Sequence, residues 1–174
     1  AQTWTGIRSI NNGKLLLAIL FWLIARGALW SESHYTYMLA IVSEALWWLV
    51  SISYLSYMVI KSNNRRNYIF ILLLSVIMLL DLTTLICVLT GNIGLSSHLL
   101  YSAVFMIANV VTVVGGRVIP FFTTRALNLP VIVAKRWLEN VITVLMFVSF
   151  IAFVMSYFLA IKPLLAILFM LTGS

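Results

Sequence analysis

Acidic residues are scarce in this chain: it has four Asp and Glu against 11 Lys and Arg in 174 residues, and only 9% of its residues are charged. That is far below the share a soluble domain needs to cover its surface. A single cysteine, Cys87, excludes an intrachain disulfide and any CxxC metal or redox motif. HExxH spacing is absent, as are any conventional acid–base arrangement, internal repeat, low-complexity stretch or water-soluble segment. Hydrophobic residues fill the space left by these absences, at 63% of the chain, with a mean hydropathy of +1.11. Such a sequence takes lipid as its main solvent. The net charge of +7 would suggest nucleic acid for a soluble protein. Here the basic residues sit in short connections between apolar runs, which points to orientation in a membrane and to no nucleic-acid partner.

A helix crosses the hydrocarbon core with about 20 mostly apolar residues, or roughly 17 at the short end. The expected fold is an all-α, polytopic transmembrane helix bundle forming one domain over 1–174. It has five full spans, near 15–30, 38–60, 68–90, 98–121 and 137–161, and a truncated sixth at 164–171. The connections "SESHYTY", "KSNNRRN" and "TGNIGLSS" carry the turn and cap residues that join antiparallel helices. With Ala1 at its start and a new apolar run near its end, the chain reads as an internal piece of a longer protein.

Basic residues sort by side. Arg8 and Lys14 precede the first span, Lys61, Arg65 and Arg66 join the second to the third, and Arg117, Arg125, Lys135 and Arg136 join the fourth to the fifth. The other side has only Lys162, with Glu32, His34 and His98. Cytoplasmic loops are enriched in Lys and Arg, so the chain start is expected in the cytoplasm.

Ionisable residues inside spans are costly and usually face a bundle interior. At about 1.5 Å of rise per residue, Arg26 lies roughly 6 Å, Glu44 about 9 Å and Asp81 about 13 Å inside the outer ends of their spans. Three charges at comparable depth are expected to cluster, because unpaired they would cost several kcal/mol each. Two acids cannot both pair fully with one base. A structural ion-pair network and a functional site are both open for this group. His34, Cys87 and His98, near the same side, are chemically able metal ligands without a diagnostic spacing; two solvated loop histidines and a small buried cysteine are the plainer reading. Trp47, Trp48, Tyr54 and Tyr57 are accounted for by packing or interface anchoring. On the fourth span Ser102, Asn109 and Gly116 recur every seven residues and share a face, either for helix packing or as a cavity lining.

"VVGGRVIPFFTTRAL", Val113 to Leu127, resembles the signature of the NnrS family. As physics, its core "GGRVIPFF" reads as a helix terminus, because Pro120 removes a backbone donor and biases Ile119 away from helical geometry. "WTGIRS", "FWLIARGAL" and "NNRRNYIFILLL" are similar to further family segments in the same order, so the landmarks run from Trp4 to about Leu127. The positions that carry over are Trp4, Gly6, Arg26, Arg65, Asn67, Gly115, Gly116, Arg117, Pro120, Phe121 and Thr123.

The resemblance implies a longer bacterial inner-membrane protein of the nitric oxide and nitrosative stress response, with heme and copper held by the complete protein. It also implies a histidine- and acid-bearing segment upstream of this chain. Arg117 could grip a heme propionate bidentately or snorkel to lipid phosphates. Expected partners are the lipid bilayer and the remainder of the full-length protein, with a second copy of the chain also open. Two other functions stay in view. One is a transporter or channel whose polar path is lined by Arg26, Glu44, Asp81 and Asn109; the other is a structural or assembly subunit. No conventional catalytic residues are expected.

Overall fold

A computed structural model describes residues 12–31, 33–63, 67–127 and 136–159, with three isolated positions at 167, 170 and 171. The side chains of Arg117, Phe121, Arg136 and Glu139 lie outside that description. Five helices follow in order: α1 (Asn12–Leu29), α2 (His34–Lys61), α3 (Tyr68–Leu89), α4 (Ile93–Ala126) and α5 (Arg136–Met155). No strand occurs among the described residues. The first four helices are long and apolar enough to cross a membrane, and α5 contributes a shorter apolar stretch, Asn140–Met155. The truncated sixth span expected at 164–171 lies almost wholly outside the described residues.

Large apolar side chains are exposed along these helices, among them Leu16, Leu23, Leu79, Val111 and Val144. In water such surfaces would drive aggregation; against acyl chains they are the solvated face. The chain is therefore a multi-pass membrane protein in contact with the lipid bilayer.

The chain forms two compact units, Ala1–Ser97 and His98–Ser174. In the first, α2 packs against both α1 and α3. Buried positions on α1 are the small residues Ala18 and Ala25, seven apart and so on one face, and α2 buries Ala40 and Ser43. Lipid tails are as apolar as leucine, so helices in a bilayer associate mainly by close backbone approach, which small side chains allow. On α3 the buried residues Leu73, Leu80 and Cys87 recur every seven and form a single seam. Asp81, next to Leu80, is thereby placed at the border of that seam.

The connections end their helices by local backbone chemistry. Asn63 takes a left-handed φ of 52° after α2. Gly91 takes φ 77° after α3, with its own N–H donating to Val88 O and that of Asn92 to Cys87 O. This Schellman geometry favours glycine at the left-handed position. Asn92 Oδ1 then accepts the N–H of Leu95 and caps the start of α4.

In the second unit α4 and α5 meet through aromatic rings. Phe105 stacks on Phe150 with centroids 6.4 Å apart and on Phe153 at 5.9 Å. His98 stacks on Phe153 at 4.9 Å, and its Nε2 lies 3.0 Å from Phe153 O. Ser102, between His98 and Phe105 on α4, and Ser149, next to Phe150 on α5, are both fully buried.

The expected stop at GGRVIPFF does not occur. Helix α4 continues through Pro120 to Ala126, 34 residues in all, or about 51 Å at 1.5 Å per residue, well beyond the ~30 Å hydrocarbon core. Proline removes one hydrogen bond and crowds the carbonyl four residues earlier, which here belongs to Gly116. A glycine at that point gives the backbone the compliance to absorb the ring, and bilayer helices tolerate proline where local groups re-satisfy the freed backbone. Thr124 Oγ1 donates to Pro120 O at 2.9 Å, and the Leu127 N–H to Thr123 O, so helical bonding resumes directly.

The small-residue packing of the first unit makes a testable contrast. Ala25→Leu should overpack a fully buried site and cost about 1–3 kcal/mol, read as a lower midpoint of thermal unfolding in detergent. Gly27→Ala, two positions away with open space around an added Cβ, should leave the midpoint unchanged or raise it, because alanine favours helix by about 1 kcal/mol.

Candidate functional site

The polar centre of the first unit grows from the α1–α2 packing. Arg26 follows the fully buried Ala25 on α1, and Glu44 follows the buried Ser43 on α2. Counted from the turn joining these helices, Arg26 is three residues from Leu29 and Glu44 ten from His34, so their Cα atoms differ in depth by roughly 10 Å. Side chains lean toward the N-terminus of their own helix. In an antiparallel pair, Arg26 therefore leans away from the turn and Glu44 leans toward it, and the two close the gap. Arg26 Nη2 donates to Glu44 Oε1 at 2.8 Å.

Burial is asymmetric: the Glu44 side chain is 1% exposed and that of Arg26 is 45% exposed. One turn before Arg26, the ring of Trp22 lies 5.9 Å from the guanidinium carbon, within the range of a cation–π contact. The guanidinium is thus held by a carboxylate on one helix and a ring on its own.

From α3, Asp81 joins the same centre. Its Oδ2 accepts a hydrogen bond from Trp48 Nε1 at 2.9 Å. Trp48 is one turn beyond Glu44 on the same face of α2, so the bond to Trp48 brings Asp81 beside Glu44 as a charged neighbour. Glu44 Oε2 is buried without a donor among the described residues. The structure therefore brings Arg26, Glu44 and Asp81 together and adds Trp48 and Trp22. Sequence reasoning assigned those tryptophans no chemistry, or passed them over. The available signal was their four-residue spacing from Glu44 and Arg26, which puts each on the charged residue's face.

Asn109 belongs to the second unit, on α4, where it is buried with Nδ2 unpaired. The possible metal ligands stand apart in function. His34 opens α2, is exposed, and meets Tyr35 edge to face. Cys87 is buried in the Leu73–Leu80 seam of α3. His98 is occupied by Phe153 O and two aromatic rings. Among the described residues no group of three His, Cys, Asp or Glu is placed to hold a metal ion.

The signature residues lie on α4. A Cβ at Gly116 would meet open space, and one at Gly115 only Ile119 Cδ1 at 3.7 Å, an ordinary contact within the same helix. Neither glycine admits a close neighbour among the described residues. Thr123 is half-buried on the same helix. The side chains of Arg117 and Phe121, and Trp4, Gly6 and Arg65 altogether, lie outside the described residues. Asn67 is buried at the N-cap position of α3.

Removing one member of a buried ion pair strands the other charge and typically costs about 3–5 kcal/mol, whereas replacing both by apolar residues is often neutral. Arg26→Ala should therefore lower unfolding stability in detergent by about that much, and Arg26→Leu combined with Glu44→Leu should recover most of it. Equal losses in the single and double variants would show that the two side chains do not depend on each other.

No curated protein and no solved structure matches this chain. A family model described as NnrS protein matches residues 1–173, which takes the likeness well past Leu127, where the sequence landmarks stop. Over essentially its whole length, and with the helices such a protein requires, the chain belongs to the NnrS protein family.

Proposed function

We propose that this chain belongs to a bacterial inner-membrane protein that protects cells against nitric oxide and nitrosative stress. The observation that carries this reading is the family match over residues 1–173, joined to a multi-pass helical fold. Lys14 at the start of α1, Lys61 at the end of α2 and Arg125 at the end of α4 fall on one side of the membrane by the alternation of spans. Basic residues favour the cytoplasm, which supports a cytoplasmic chain start.

Heme and copper are implied by the family resemblance. The residues described here do not fit either group: His98 is already hydrogen-bonded and stacked, His34 and Cys87 lie on different helices, and no cluster of three suitable side chains forms among the described residues. Ligation in the complete protein would fall to other residues, and no step of the protective chemistry is assigned to this chain's side chains. In this reading the Arg26–Glu44–Asp81 centre holds α1, α2 and α3 in register, and a catalytic role is not assigned to it.

Deleting the gene for the full-length protein should prolong the growth lag caused by a nitric oxide donor and leave unstressed growth unchanged, with complementation restoring the wild-type lag. Indistinguishable growth of the two strains across donor concentrations would overturn the protective role. Purified full-length protein, produced with cofactor supply, should show a Soret band and bound copper. A preparation with neither would remove the cofactors while leaving the stress phenotype to stand by itself.

A further inference from the structure

Donor counting at the polar centre leaves one oxygen unaccounted for. Arg26 serves Glu44 Oε1, and Trp48 serves Asp81 Oδ2. Glu44 Oε2 is buried, on a side chain 1% exposed, and no donor among the described residues reaches it. The neighbour standing against Glu44 from α3 is Asp81, another carboxyl. A hydrogen bond between two carboxyls exists only when one of them carries a proton. If both were ionised, the centre would hold two negative charges against one positive charge in apolar surroundings, and a buried acceptor would also lack a donor.

We propose that Glu44 and Asp81 share a single bound proton, making this pair a proton-binding site within the membrane-embedded helices of the first unit. One proton removes both defects at once: it supplies the missing donor, and it brings the centre to one guanidinium, one carboxylate and one neutral carboxylic acid. The charged and titratable groups facing Glu44 from the helices packed on α2 are Arg26 of α1 and Asp81 of α3. Trp48 is a neutral donor that can only give a hydrogen bond, so it anchors Asp81 without competing for the proton. A bound cation can also join two carboxyl oxygens, and it is the outcome against which the proton is tested. The proposal stands independently of the role in nitric oxide stress.

Infrared spectroscopy of the full-length protein in lipid at neutral pH reads the proton directly. The wild type should show a protonated carboxylic C=O band that moves on exchange into D2O, lost in both Glu44→Gln and Asp81→Asn. Glu44→Gln places an amide donor where the proton would be, so it should fold with an unfolding midpoint close to wild type, and the spectral loss is then separable from misfolding. A wild-type spectrum without a band that these substitutions remove would overturn the proposal. So would a midpoint raised by sodium chloride over choline chloride in the wild type and not in Asp81→Asn, since that is the behaviour of a bound cation.

Discussion

Arg26 and Glu44 meet at 2.8 Å between α1 and α2, and much of the first unit follows from that contact. Apolar helices in lipid slide and rotate against one another at little cost, because each rotation exchanges one hydrocarbon surface for another. A guanidinium and a carboxylate have no such freedom. Holding them together sets the rotation of α1 so that Ala18 and Ala25 face inward, and it sets the rotation of α2 so that Glu44 is buried. With Glu44 fixed, Trp48 one turn away points to α3 and takes Asp81. The third helix is apolar on all sides and would otherwise have little to choose between its faces; Asp81 and the Leu73–Leu80–Cys87 seam make the choice.

The second unit solves the same problem differently. No ion pair joins α4 to α5 among the described residues. Stacked rings do instead, in the order His98, Phe153, Phe105 and Phe150, with one hydrogen bond from the histidine ring to a backbone oxygen. Aromatic pairs have preferred geometries, so a run of them specifies rotation as a charge pair does. The two units illustrate two ways of giving direction to helices whose solvent is non-directional.

How much of this was legible in the residues differs by feature. The all-helical, membrane-spanning class was, since length and apolar content decide whether a helix can cross a bilayer. That Arg26, Glu44 and Asp81 would converge was also readable, because a buried charge has few tolerable alternatives; the roughly 10 Å offset in depth between Arg26 and Glu44 was not, since it depends on where the turn between α1 and α2 falls. Pro120 misled: its chemistry is that of a helix breaker, but the carbonyl it crowds belongs to Gly116, four residues earlier, and the helix runs on to Ala126. Trp48 was read as packing or interface anchoring, the usual role of a tryptophan in a membrane helix. Its spacing from Glu44 puts it on the charged face, but its role as a donor depends on where α3 places Asp81.

By itself, the sequence determined the solvent, the helical class and the family signature, because these depend on composition, run length and local order along the chain. The tertiary structure alone decided which carboxyl Arg26 pairs with, that the Trp48 ring N–H bonds Asp81, that Glu44 Oε2 is buried without a donor among the described residues, and that His98 is committed to Phe153. Each of these is a contact between residues far apart in sequence. Helix rotation and crossing set such contacts, and one-dimensional periodicity does not encode them when every face of a helix is apolar.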